Sequence, residues 1–193
     1  MELLDILQVI EPVIQAFEQL DVPYYIGGSV TSSIHGIPRS TVDVDLVADV
    51  HPQHVRPLVK ILESVYYIDE EMILEAIQRQ ASFNLIHLET MLKIDIFVLK
   101  DTPYHQEAFH RKQKDTQDEE QGLEFYLASA EDIILLKLEW FRMGGEVSEK
   151  QWNDVLGVLK VQNTVLDMDY LRHWAAELNL TALFKQALED AGM

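Results

Sequence analysis

Apolar residues recur at helical spacing near the start of the chain, where Leu3, Ile6, Leu7, Ile10, Val13, Ile14 and Phe17 line one face. They predict a helix over residues 3 to 20, kinked or restarted at Pro12. The period then shortens. Pro23-Tyr24-Tyr25-Ile26 reads as a short strand, and the Gly27-Gly28-Ser29 turn opens a helix over residues 29 to 36. Val42-Asp43-Val44-Asp45-Leu46 alternates with period two and predicts a strand over 43 to 47. His51-Pro52 then opens a helix to about residue 65, with Pro52 suited to the first turn and Pro57 blurring the start. A further helix spans 69 to 78. Residues 82 to 87 and 92 to 99 pair as a hairpin about Glu89-Thr90.

Beyond Asp101-Thr102-Pro103 the period becomes helical. A helix over 103 to 112 and a short strand over 123 to 127 precede helices at 131 to 143, 148 to 161, 167 to 178 and 180 to 190. Ser129-Ala130-Glu131-Asp132 has the form of a capped helix start, Gly144-Gly145 closes that helix, and Ser148 with Gln151 forms a capping box for the next. Trp140, Phe141, Trp152 and Trp174 read as core of the helical half. The pattern as a whole is α/β (α+β): a short mixed β-sheet flanked by helices over residues 1 to 122, followed by an all-helical C-terminal part over 123 to 193. The acidic stretch near 115 to 122 is too short to separate independent domains.

Composition narrows the function classes. With 193 residues and 48% hydrophobic content the chain can bury one substantial core with a smaller one attached. The absence of cysteine excludes disulfides and thiolate metal sites. No basic segment precedes an apolar run, and no run approaches the roughly 18 apolar residues that span a bilayer, so a cytoplasmic protein with no membrane association is expected. A formal charge of −18 argues against extended contact with duplex DNA or a long RNA. A nucleotide carried with Mg²⁺ meets less of this repulsion, because the metal and backbone N–H groups supply positive potential locally. The one dense basic cluster, Arg111-Lys112-Gln113-Lys114, reads as a solvated helix end balanced by Asp115, Asp118, Glu119 and Glu120, with guidance of a phosphate-bearing acceptor as its other reading.

The chemistry lies in the acids. Strand alternation turns Val42, Val44 and Leu46 one way and projects Asp43 and Asp45 together from the other face, their α-carbons roughly 7 Å apart. Asp95, in Lys93-Ile94-Asp95-Ile96-Phe97, has the same setting, with Lys93 on its face. Aspartate is disfavoured in strands and like charges on one face repel, so a counter-ion is expected. Three such carboxylates suit two Mg²⁺ (or Mn²⁺) ions in an in-line phosphoryl displacement. A plainer reading is a solvated sheet face. Gly27 and Gly28 make a tight turn whose N–H groups suit a phosphate, and Ser29 is either a helix cap or a phosphate ligand. Arg39 either contacts phosphate or pairs with Asp43, and pairing relieves the acidic cluster. His51 and His54, one helical turn apart, read as a solvated face.

Ile26-Gly27-Gly28-Ser29, a gap of thirteen residues, Asp43-Val44-Asp45-Leu46 and the later Ile94-Asp95-Ile96 together resemble the nucleotidyltransferase superfamily of DNA polymerase β, in its small prokaryotic branch. The resemblance covers residues 24 to 99. It implies an NTP as donor, Gly28 and Ser29 on the triphosphate, Asp43 and Asp45 as metal ligands, and Asp95 completing the site and activating the attacking hydroxyl. Leu135-Leu136-Lys137-Leu138 and Trp152-Asn153-Asp154-Val155 are similar to the late lysine and aspartate segments of AbiEii-like toxin nucleotidyltransferases, which lie near the nucleotide. Where that family carries Arg or Lys just ahead of the aspartate, this chain has Gln151-Trp152-Asn153. For Lys137 and Asp154 a nucleotide-binding role and a place on polar helix surfaces stand side by side. The implied reaction is transfer of a nucleoside monophosphate to an acceptor hydroxyl on an RNA end, a protein or a small molecule. The alternative is a catalytically silent nucleotide-binding module of a toxin–antitoxin-like pair with a small protein partner.

Overall fold

A computed structural model describes residues 3–41, 43–116 and 124–193 of the chain. Among the described residues it holds nine helices and seven strands: α1 (Leu3–Gln19), β1 (Tyr24–Ile26), α2 (Gly28–His35), β2 (Asp43–Ala48), α3 (Pro52–Leu62), β3 (Tyr66–Tyr67), α4 (Glu70–Arg79), β4 (Ser82–His87), β5 (Lys93–Val98), α5 (Pro103–His110), β6 (Gln113–Thr116), β7 (Glu124–Leu127), α6 (Ala130–Met143), α7 (Glu149–Gln162), α8 (Met168–Glu177) and α9 (Thr181–Ala191). The fold is mixed α/β, as the pattern of the chain implies. It divides into two compact units, Met1–Gly27 with Ser40–Leu127 and Gly28–Arg39 with Ala128–Met193. The cut expected after residue 122 falls outside the described residues, as do Val42, Leu123 and the acids Asp118, Glu119 and Glu120. No described helix is long and apolar enough to cross a membrane.

The first unit is built on a seven-stranded sheet in the order β3-β4-β5-β2-β1-β7-β6. β2 runs parallel to β5, β1 parallel to β7, and the remaining neighbours are antiparallel. Alternation decides its faces. Val44, Leu46, Ile94, Ile96, Phe83 and Leu85 are buried, whereas Asp43, Asp45, Lys93, Asp95 and Asn84 point the other way and keep solvent contact. Tyr24 and Tyr25 also point to opposite faces: Tyr24 meets Phe17 of α1 and Tyr25 meets Phe109 of α5. Helix α1 therefore covers the apolar face with Ile6, Ile10, Val13, Ile14 and Phe17, each of which is buried. Such a side chain contributes about 1.5–3 kcal/mol on leaving water. The helix runs unbroken through Pro12, and the carbonyl that the ring deprives of an intrahelical donor belongs to the exposed Gln8. Tyr66 in β3 is anchored by donating its hydroxyl hydrogen to the Val9 carbonyl.

Two strands of this unit differ from the sequence reading. Residues 113 to 116, expected as a solvated helix end and linker, form β6, in antiparallel register with β7. Arg111 is the C-cap of α5, and the Lys112 ammonium lies 4.3 Å from the centre of the Phe109 ring. Partial burial lowers the Lys112 pKa, and its ammonium also donates to the Phe109 carbonyl at 3.3 Å. Lys114, half exposed, pairs with Glu124 at 2.6 Å. Residues 66 and 67, expected to follow directly on a helix reaching 65, form β3 after α3 has ended at Leu62.

The second unit packs α2 with α6, α7, α8 and α9. Asp132, fully buried in α6, accepts hydrogen bonds from the Ser129 hydroxyl at 2.6 Å and the Tyr170 hydroxyl at 2.7 Å. Glu131 accepts the Asp167 N–H at 2.9 Å, so both carboxylates tie the start of α8 to α6. Helix α2 approaches α7 through Gly36, where a Cβ would meet the Val158 nitrogen at 2.7 Å. The Gln162 amide donates to the His35 carbonyl at 2.8 Å and closes the same junction. Trp140, expected in the core, is instead 47% exposed, because the buried face of α6 is formed by Ile133, Ile134, Leu135 and Leu138.

Candidate functional site

Each unit carries one arrangement of charged groups that the sequence singled out. In the first, parallel pairing of β2 with β5 sets Asp45 directly opposite Asp95 and Asp43 opposite Lys93, while Asn84 of β4 faces Asp95 from the other side. Neighbouring strands lie about 4.8 Å apart, so Asp45 and Asp95 are adjacent like charges on one face. Lys93, on the same face, has its Nζ 2.7 Å from Asp95 Oδ2. That hydrogen bond raises the lysine pKa, and the charges of Asp95, Asp43 and Asp45 add to it. Asp43 is exposed at the start of β2, where its backbone N–H and carbonyl both meet the Thr41 hydroxyl. The donors are all oxygen, which suits a hard divalent cation. Among the described residues, however, no three His, Cys, Asp or Glu side chains are drawn together around one point where a metal could sit.

The glycines contribute in different ways. Gly27 extends the β1–β2 ladder, its N–H donating to the Asp45 carbonyl at 2.8 Å, so this amide is committed to the sheet. Gly28, the first residue of α2, has a φ of 55°, a left-handed conformation that glycine adopts without strain.

In the second unit, Asp154 of α7 is the centre of a buried ionic network. The Arg39 guanidinium forks onto its carboxylate, Nε to Oδ1 at 2.7 Å and Nη2 to Oδ2 at 2.8 Å. The Lys137 ammonium reaches the same Oδ2 at 2.6 Å and the Gln151 side-chain oxygen at 3.1 Å. Ser29 joins through its hydroxyl oxygen, which accepts from Arg39 Nη2 at 2.6 Å. Burial by itself raises the Asp154 pKa, but hydrogen bonds from Arg39 and Lys137 outweigh it and hold the carboxyl below the usual range. Lys137 and Asp154 are 3% and 8% exposed, whereas the Arg39 side chain retains 31%. Two cations share one carboxylate.

The structure thus brings Ser29, Arg39, Lys137 and Asp154 into one network, and Asp43, Asp45, Asp95 and Lys93 onto one strand face. It corrects two expectations. Arg39 pairs with Asp154, 115 positions away, and not with Asp43. Lys137 is not on a solvated polar stripe but inside the network. Gln151 was missed as a member, although its position is where the resemblance expected a basic residue near the aspartate. It accepts from Lys137 where a third cation would repel it. The His54 ring accepts the His51 N–H at 3.1 Å at the start of α3, and His51 lies 3.3 Å from Asp49.

No protein-family model matches the sequence, and no curated protein matches it. Solved structures do. A lincosamide antibiotic adenylyltransferase, LnuA, with lincomycin bound is 16% identical, with a TM-score of 0.53 over 80% of this chain and 96% of that one. The antibiotic-resistance factor ANT(2'')-Ia is 14% identical, with a TM-score of 0.53 over 95% of this chain and 93% of that one. A nucleotidyltransferase-like protein from Paracoccidioides brasiliensis is 18% identical, with a TM-score of 0.58 over 95% and 90%. At these identities the likeness is one of fold, and the fold of this chain is nucleotidyltransferase-like.

Proposed function

We propose that the chain is a nucleotidyltransferase that moves a nucleoside monophosphate from an NTP to the hydroxyl of a small-molecule acceptor. The observation that carries this reading is the register of Asp45 against Asp95 on the polar face of β2 and β5, in a nucleotidyltransferase-like fold. A hydroxyl acceptor of small size is favoured by the lincomycin-bound adenylyltransferase among the similar structures and by a net charge of −18, which disfavours long polyanions. In the reaction the acceptor oxygen bonds to the α-phosphorus, the bond from that phosphorus to the β-phosphate oxygen breaks, and pyrophosphate leaves. Asp95 takes the hydroxyl proton. Asp43, Asp45 and Asp95 would hold Mg²⁺ or Mn²⁺, which when bound neutralises charge on the triphosphate. Gly28, Ser29, Arg39 and Lys137 are assigned to phosphate recognition, with Gly27 shaping the turn. Asp154 is a positioning residue that presents the two cations.

The test is pyrophosphate release and thermal unfolding with each NTP, with and without Mn²⁺. A metal-dependent NTP at about 100 times its dissociation constant stabilises by roughly 2.7 kcal/mol. Asp43→Asn and Asp45→Asn each lower turnover by on the order of a hundredfold or more while leaving the metal-free protein as stable or more so, since a like charge has been removed. Unchanged turnover in both variants sinks the proposal. The Lys93–Asp95 pair favours one rival, a catalytically silent nucleotide-binding module, which would show a thermal shift with NTP that is indifferent to metal and no pyrophosphate.

A further inference from the structure

The polar face of β2 and β5 carries a lysine among its carboxylates, and its position is specific. Lys93 lies two residues before Asp95 on the same strand, hence on the same face, and opposite Asp43. Its Nζ contacts Asp95 Oδ2 at 2.7 Å, with the two side chains 44% and 20% exposed. The carboxylate it neutralises is the one that stands against Asp45 across the parallel pair. We propose that Lys93 is the built-in counter-ion of this row: it holds Asp95 while no divalent cation is present, and it must let go of Asp95 before such a cation can join Asp95 to Asp45.

This inference rests on the metal-binding reading above and deepens it. It accounts for the ion pair and for its place in the row, on the carboxylate that stands beside Asp45. It also has a physical range. A partly exposed Lys–Asp pair shifts an equilibrium by only about two- to fivefold, enough to order Asp95 and weak enough to yield to a doubly charged ion with two carboxylate ligands. An ammonium left beside the bound cation would repel it, so Lys93 sets the apparent metal affinity without touching substrate.

The experiment is Mn²⁺ binding to the full-length chain without nucleotide, read by the loss of the free-ion paramagnetic resonance signal, with circular dichroism as the check on folding. Lys93→Gln is expected to bind Mn²⁺ about two- to fivefold more tightly than the wild type. Lys93→Arg, which keeps the charge and the reach, stays within about twofold of it. Repeating the Lys93→Gln comparison in an Asp95→Asn background separates a clasp from a general field, because a clasp has nothing left to release there. Equal affinity in wild type and Lys93→Gln overturns the proposal, and so does a gain that survives undiminished in Asp95→Asn. If the wild type and every variant fail to bind Mn²⁺, the metal-binding reading falls and the clasp with it. Binding by wild type with no effect of Lys93→Gln removes the clasp alone.

Discussion

Asp154 stabilises by keeping Lys137 compensated, and its removal has a cost that follows from burial. Asp154→Ala removes the carboxylate that lies 2.6 Å from an ammonium only 3% exposed and is expected to destabilise by about 3–5 kcal/mol, measured by urea unfolding. Its pKa is depressed in the folded state, so its contribution is fully present above the ordinary value of 3.8 and is lost as pH falls below it through the depressed value. His105 acts at a higher pH. Burial, helped by the charge of Lys100, lowers its pKa to about 4, against 6.5 for the unfolded chain. The unfolded state then binds more protons between these values, and stability rises with pH across that window. After allowance for solvent screening the change is on the order of 1–2 kcal/mol. Unfolding free energies measured from pH 4 to 7 should show this slope in the wild type, and His105→Gln should flatten it.

The elements were legible where one face is buried and the other wet. The Asp43–Leu46 alternation yields both the strand and the direction of its acids, because a half-buried strand writes its period into the sequence. Two residues cannot display a period, and so β3 at Tyr66–Tyr67 carried no signal. Strand β6, Gln113-Lys114-Asp115-Thr116, has no apolar residue, and pairing with β7 alone makes it a strand. The Arg39–Asp154 contact joins positions 115 apart, beyond any local pattern, whereas the Ser129 and Ser148 caps were local and visible. The α2–α7 approach is likewise a long-range fact. Gly36→Ala would press a methyl against the backbone of Val158 and Gly157, at 2.7 and 2.9 Å, which cannot yield as a side chain can. A loss of about 1–3 kcal/mol is expected in urea titrations, and less for Gly157→Ala, whose nearest neighbour is at 3.2 Å.

For the whole molecule, charge sets the conditions of stability. A net −18 on 193 residues means that compaction gathers like charges, and screening relieves it. Raising NaCl from about 0.01 to 0.15 M shortens the Debye length from roughly 30 to 8 Å, so the unfolding temperature should rise with salt, as a scanning calorimeter would record. The division of the chain has a temporal consequence as well. Gly28–Arg39 belongs to the same unit as Ala128–Met193, yet it is synthesised before Ser40–Leu127. At roughly 5–20 residues per second, α2 leaves the ribosome on the order of ten seconds ahead of the helices against which it packs. The growing chain must carry Val30 and Thr31, both buried in the finished protein, uncovered for that interval. The second unit is therefore assembled around a segment that has waited for it, and no contiguous fragment beginning at Ala128 can reproduce it.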